Sequence, residues 1–393
     1  MVSIDTEKKF FKAEKRLSTA LVAILLLPTV KFSIVQSIPG LYKYNHQANI
    51  FIAIIIAILL VRTINSLVIR SGTAMVMIFS LLTVFILINY LLYPSNSENI
   101  IMHIFDIYFI SFVSLSLSLS IRNYKMLLYY LHKASFVMVL SGLFMLISTS
   151  LIGVVGVAAT EYNMSLSYYM VVPTLTLMQN YFQDKKNCSL IFFILGLMII
   201  LAMGSRGPLL CIAFFYILYN VKFSKLTYKT VMLMVMMALL TVLFVVFSKE
   251  IFLYLYRLLL SINIDSRTLS YLAYGRITEL SNRDIIAKEI VSIILDNPIF
   301  GIGFLGDLRS HNIVLENLLF FGVFVGAFIT LTLLFIVYKA IKYKKNKYLS
   351  SLILIFGSYA IPDAMLNLTV WGKDMFWIFL GFSIIAIRDN GRD

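Results

Sequence analysis

The chain has 393 residues, 60% of them hydrophobic and 13% charged, with a formal net charge of +14 and a mean hydropathy of +0.91. These values exclude a soluble domain, and apolar runs of about 15 to 25 residues recur along the whole length, so the chain reads as a single all-α polytopic membrane domain over 1–393. The excess of positive charge lacks the loop aromatics that accompany basic patches in nucleic-acid-binding proteins, so nucleic acid is not an expected partner.

Taken in order, the basic segment Lys8 to Arg16 leads into an apolar run without a small-residue cleavage site, and is read as the start of the first span rather than a signal peptide. Twelve spans are expected, at about 17–37, 48–67, 72–93, 100–121, 126–150, 165–182, 188–203, 208–221, 229–248, 311–338, 349–366 and 370–388. With the N-terminus inside, the expected cytoplasmic segments hold 21 of the 33 Lys and Arg residues, while the short outward loops hold only Lys43, Arg206 and Lys373. That bias sets both termini in the cytoplasm and residues 249–310, between spans nine and ten, outside. Cys188 and Cys211 then fall near opposite faces, and no disulfide is expected between them.

The first outward loop, Pro39 to Gln47, carries Lys43 and His46 but no acid. Nowhere does the chain offer an Asp-x-Asp pair, a His-x-x-x-His or a Cys/His cluster, so neither a metal site nor a cofactor is expected. Lys31, His103, Asp106, His132 and Lys133 lie inside spans, where such residues mostly face the bundle interior or snorkel.

Between spans seven and eight stands Gly204-Ser205-Arg206-Gly207-Pro208. The glycines let the backbone break, and Pro208 suits the first turn of the next helix. Arg206 thereby sits beside the N–H groups of a helix start, a combination suited to phosphate. The plain alternative is an arginine snorkelling to headgroups.

The outer loop opens with an amphipathic piece, Lys249 to Leu260. Its second half, Ser281 to Asp296, reads as a helix with Ile286, Ala287, Ile290, Val291, Ile293 and Ile294 on one face. Arg283 projects into that apolar face, where a cation is costly unless an anion meets it. Arg276, in Tyr-Gly-Arg, is a second candidate. Asn297-Pro-Ile-Phe-Gly-Ile-Gly303 then supplies turn chemistry. Ser310 suits the N-cap of a helix starting at His311, which would place His311 on the same face as a Gly322-x-x-x-Gly326 packing seam. The turn before the last span offers Asp363, Asn367, Trp371, Lys373 and Asp374; Trp371 and Trp377 read as interfacial anchors or sugar-stacking surfaces.

Three of these motifs together resemble the O-antigen ligase and O-antigen polymerase superfamily: Ser205-Arg206-Gly207 after a hydrophobic span, Arg283 fifteen residues before Pro298 in the Asn297–Gly303 segment, and His311-Asn312-x-x-Leu315 followed by Gly322-x-x-x-Gly326. The match is strongest over 206–326. It departs at Asn282, where the family usually has Gly before the arginine; Arg276 follows a Gly and is the alternative for that role.

The resemblance implies an enzyme of the bacterial inner (plasma) membrane. It would transfer an oligosaccharide from undecaprenyl pyrophosphate on the outer face, without metal or cofactor and with inversion. Arg206 and Arg283 would stabilise the leaving pyrophosphate. His311 would activate or orient the acceptor hydroxyl. Ser205, Arg276 and Asn312 would contact substrate. The favoured acceptor is a second lipid-linked repeat unit, making the chain a polymerase. The alternatives are a ligase acting on lipid A–core and, outside the enzymes, a polysaccharide flippase. Membrane lipids, a chain-length regulator and a flippase are the expected partners.

Overall fold

The computed structural model describes residues 4–38, 40–152, 164–203, 205–223, 249–261, 270, 273–274, 283–306, 310–366 and 369–391. It is 88% helical, with no strand among the described residues. The helices are α1 (Ile4–Ser37), α2 (Asn45–Val61), α3 (Ile64–Leu92), α4 (Ser97–Phe105), α5 (Val113–Ser120), α6 (Tyr124–Ile152), α7 (Met164–Tyr169), α8 (Val171–Asp184), α9 (Asn187–Ala202), α10 (Arg206–Phe223), α11 (Lys249–Ser261), α12 (Arg283–Asp296), α13 (Ile313–Lys342), α14 (Lys347–Leu366) and α15 (Asp374–Asn390).

Among the described residues, seven helical stretches are long and apolar enough to cross a membrane: Glu7–Ser37, Tyr42–Val61, Ile64–Leu92, Pro94–Ser120, Tyr124–Ser148, Ile313–Lys342 and Lys347–Leu366. This is an all-α membrane protein. The spans expected at 165–182, 188–203, 208–221 and 370–388 are occupied by shorter helices, and 229–248 lies outside the described residues. Helix α3 begins at Ile64, earlier than the expected span. Arg70 is therefore inside it and not in a loop.

The chain divides into two compact units, one comprising 1–17, 62–124 and 279–393, the other 18–61 and 125–278. In the first, Glu14 is fully buried. It pairs with Arg70 and accepts the backbone N–H groups of Arg122 at 3.2 Å and Asn123 at 2.9 Å. A buried carboxylate needs this many donors to offset its desolvation. Helices α4 and α5 are joined by a wide π-helical turn, Asp106–Phe112, onto which the chain before α15 folds: Ser111 donates to the Trp371 carbonyl at 3.3 Å. Beyond α13, the Tyr343 hydroxyl donates to Asp389 at 3.3 Å. Burial, reinforced by that carboxylate, pushes the phenol up to about 12, so it remains a donor at any physiological pH.

In the second unit, α8 and α9 pack side by side around Lys185, which turns the chain with a left-handed backbone. Asn180 donates to Ser189 at 2.8 Å and approaches His132 Nε2 at 3.2 Å. His132 thus has a polar partner inside the helix layer.

Candidate functional site

The segment after α12 and the helix α13 form one composite turn in the first unit. Helix α12 buries Ile290 and Ile294 while Ile285, Val291 and Leu295 are exposed, so Val291 is the one member of its expected apolar face that points away. The chain then closes tightly, Gly301 N–H donating to the Asn297 carbonyl at 3.1 Å. From there it runs against the middle of α13. Ile302 N–H donates to the Leu319 carbonyl at 2.9 Å, Gly303 N–H to the Phe320 carbonyl at 3.1 Å, and Val323 N–H to the Pro298 carbonyl at 2.7 Å.

Those bonds exist because α13 is not continuous. Gly322 has φ 73° and ψ 176°, a non-helical conformation that ends the first arm, and the carbonyls of Leu319 and Phe320 lose their helical partners there. The 298–303 segment supplies the missing donors. An L residue at Gly322 would be strained by its φ, and its Cβ would meet the Ile299 backbone; Gly301 is equally confined, by the Leu319 carbonyl. The second arm doubles back along the first. Asn317 Nδ2 donates to Thr330 Oγ1 at 3.2 Å, although thirteen residues would separate them by roughly 20 Å on a straight helix. Gly326 fits directly against the Asn317 carbonyl. The expected Gly322/Gly326 seam on one continuous helix face is thereby corrected: Gly322 is the hinge and Gly326 the contact between the two arms.

The start of the first arm also differs from expectation. Asn312, not Ser310, is the N-cap, its Oδ1 accepting the N–H of Val314 at 2.9 Å and of Leu315 at 3.3 Å. The helix begins at Ile313. Ser310 instead closes the preceding turn, accepting from Asn312 N–H at 3.1 Å and donating to the Asn312 carbonyl at 2.6 Å. His311 lies between them with φ +54°. This left-handed conformation is one that residues other than Gly adopt sparingly, and histidine is among the more tolerant. The ring is half-buried, with Nδ1 inside. Glu316, one turn into the arm, is buried, where a carboxylate is favoured by the helix N-terminal dipole.

Three residues that the sequence reading missed hold the turn from α3 and the short 3-10 helix after it. Asn89 Oδ1 accepts Phe304 N–H at 3.0 Å. Asn96 Nδ2 donates to the Ile302 carbonyl at 2.9 Å, and the Tyr93 hydroxyl to the Phe300 carbonyl at 3.1 Å. Asn89 inside an otherwise apolar span was the available signal. Beneath the turn, Phe304 sits edge-on to Trp371 at 4.8 Å and to Phe85 at 5.1 Å. Two apolar spaces flank the hinge: a partly open cavity of about 80 Å³ between the arms and helices α14 and α15, bounded by Ile313, Asn317, Thr330, Met365 and Phe376, and a more open groove of about 310 Å³ along Tyr93, Phe300, Phe321 and Phe324.

His311 and Asn312 are adjacent in this turn. Arg283 opens α12, which packs on α13. Arg276 lies outside the described residues. Ser205 and Arg206 belong to the second unit. There Ser205 is buried, Arg206 is the first residue of α10 and half-buried, and Gly207 leaves room for the Tyr168 hydroxyl directly above it. Of the other polar residues in or near spans, His103 Nδ1 lies 3.5 Å from Asp106 and Lys373 pairs with Asp363 at 3.4 Å. No group of three or more His, Cys, Asp or Glu side chains placed to hold a metal occurs among the described residues. No family model, curated protein or solved structure matches this chain.

Proposed function

We propose that this protein is a membrane glycosyltransferase that polymerises undecaprenyl-pyrophosphate-linked oligosaccharide repeat units on the outer face of a bacterial plasma membrane. The reading includes twelve spans, cytoplasmic termini and an outward segment 249–310. The observation that carries it is the composite turn. A half-helix starts just after the left-handed His311, capped by Asn312, and its far end is closed by the Asn297–Gly303 segment. Two of the three motifs behind the family resemblance are therefore parts of one construction. Non-helical backbone at membrane depth is tolerated where it lines a site or is buried in protein, and half-helix starts are a recurring place for anionic substrate groups.

In the proposed reaction the acceptor hydroxyl attacks the anomeric carbon of the donor sugar. A new C–O bond forms as the bond to the pyrophosphate breaks, with inversion. The hydroxyl proton passes to the His311 imidazole, and the charge that develops on the pyrophosphate is met by the guanidiniums of Arg206 and Arg283, with Arg276 the alternative to Arg283. The role of Asn312 narrows to position and donation, because its carbonyl oxygen is committed to capping the half-helix. Ser205, buried at the start of α10, would support the backbone that presents Arg206.

The test is turnover of a defined lipid-linked repeat unit by the protein in nanodiscs. A ladder of products rising by one repeat supports polymerisation. Transfer only when lipid A–core is added would replace it with the ligase reading. Movement of intact donor across the bilayer without any new glycosidic bond would replace both with a flippase.

A further inference from the structure

The hairpin between α1 and α2 holds a cation in an unusual setting. Lys31 is half-buried and lies six residues before the end of α1, roughly 9 Å along the helix from Ser37. Its ammonium donates to two side-chain amide oxygens, those of Asn45 and Asn49, each at 2.8 Å. These acceptors sit one turn apart on α2, so they fix the ammonium from a single side. Neither carries charge. The stretch Ser18–Val61 contains no Asp or Glu at all, and among the described residues no carboxylate pairs with Lys31, Lys43 or His46.

Two neutral acceptors orient a lysine without neutralising it, and the third N–H of the ammonium remains for another ligand. An ammonium in an apolar span is expensive, and a carboxylate is the usual partner where the role is structural. The surroundings add positive potential. Lys43 and His46 flank Asn45 in sequence and are exposed. Tyr42 and Tyr44 are 64% and 49% exposed on either side of Lys43, as aromatic side chains are at the headgroup level of a bilayer.

We propose that this hairpin binds the headgroup of an anionic phospholipid, with its phosphate accepting the free N–H of Lys31 and lying within reach of Lys43 and His46. The site is distinct from the transfer site: a resident lipid here would brace α1 against α2 and does not depend on the chain being a glycosyltransferase. A headgroup is favoured over a soluble phosphate because the exposed residues of α2 beyond Asn49, Ile50, Phe51, Ile54 and Ile58, offer acyl chains an apolar track.

The full-length protein is delipidated in detergent and titrated with phosphatidylglycerol, with phosphatidylcholine or with inorganic pyrophosphate, following bound lipid by native mass spectrometry and unfolding by a thermal shift. Phosphatidylglycerol is expected to remain bound and to raise the midpoint. Lys31→Met should weaken it roughly tenfold through loss of a charge-assisted bond, and Lys31→Arg should preserve it. Because Lys31→Met could disturb the helix pair, the surface variant Lys43→Gln/His46→Gln is the second arm; about fivefold weaker binding is expected from loss of the Lys43 charge. Equal retention of phosphatidylcholine, or phosphatidylglycerol binding unchanged in both variants, overturns the proposal. Saturable pyrophosphate binding of equal strength without lipid would overturn the headgroup assignment.

Discussion

The side-chain carbonyl of Asn89, near the end of α3, accepts the backbone N–H of Phe304 at 3.0 Å across 215 residues of sequence. Both partners are buried. Replacing Asn89 with Leu would leave that N–H without its acceptor, at a cost of about 1–3 kcal/mol for an unsatisfied buried donor. The expected outcome is a lowered unfolding midpoint and loss of transfer together, because the Phe304 turn loses its anchor. Asn89→Asp keeps an acceptor and should retain more of both. An Asn89→Leu protein with an unchanged midpoint would mean that the N–H finds another partner.

Gly322 is the second point of control. Its φ of 73° and the Ile299 backbone beside it leave no room for a side chain. Gly322→Ala should therefore cost on the order of 1–3 kcal/mol and favour straightening of the two arms. A pair of cysteines at Asn317 and Thr330 reports this, since these side chains meet only when the helix doubles back. The cysteines should crosslink readily in an otherwise native background and poorly with Gly322→Ala. Gly306→Ala is the comparison, because only the flexible Ile302 side chain stands in its way. Crosslinking indifferent to Gly322→Ala would show that the hinge does not depend on this glycine.

How far the sequence led can be read from these same residues. The membrane class follows from hydropathy alone, and the turn at Pro298, Gly301 and Gly303 from the intrinsic preferences of those residues. What could not be read is non-local. Ser310 and Asn312 are equally good caps by preference, and only the packed chain decides that Asn312 takes the role and that His311 is left outside the helix. The apolar run through Gly322 has the period of one long helix, and the reversal depends on donors from residues some twenty positions earlier. Asn89 and Asn96 carry no mark that they serve a segment more than 200 residues away.

Glu14 tests the opposite end of the first unit. It is fully buried with Arg70 and two backbone donors around it. Removing one member of a buried pair typically costs about 3–5 kcal/mol, because the other charge is left stranded. Glu14→Gln should therefore lower expression and the unfolding midpoint more than Glu7→Gln, whose side chain is exposed. The double variant Glu14→Gln/Arg70→Met should recover part of the loss. If Glu14→Gln is as stable as Glu7→Gln, the pair contributes nothing to the fold.

The arginines separate charge from geometry. Arg206→Ala and Arg283→Ala are expected to abolish transfer, and the Lys variants to rescue poorly, because a point charge does not reproduce a bidentate fork. Arg276→Ala should retain activity. An inactive Arg276→Ala beside an active Arg283→Ala would move the second pyrophosphate contact to Arg276, in line with the glycine that precedes it.

His311 combines a chemical and a conformational role, and one substitution pulls them apart. Its backbone has φ +54°, which costs a residue with a side chain about 1–2 kcal/mol and costs glycine nothing. His311→Gly should consequently fold at least as well as the parent, with the Asn312 cap intact. If the imidazole takes the acceptor proton, that well-folded variant will still bind donor and transfer about 10²- to 10⁴-fold more slowly. His311→Gln, which keeps hydrogen-bonding capacity but accepts no proton near neutral pH, should be comparably slow. A residue present only to make the turn predicts the reverse: full activity in His311→Gly and a loss in His311→Gln that tracks its stability. Unfolding midpoints and single-turnover rates for the two variants, measured side by side, decide between the two roles, and a fully active His311→Gly would remove the histidine from the chemistry.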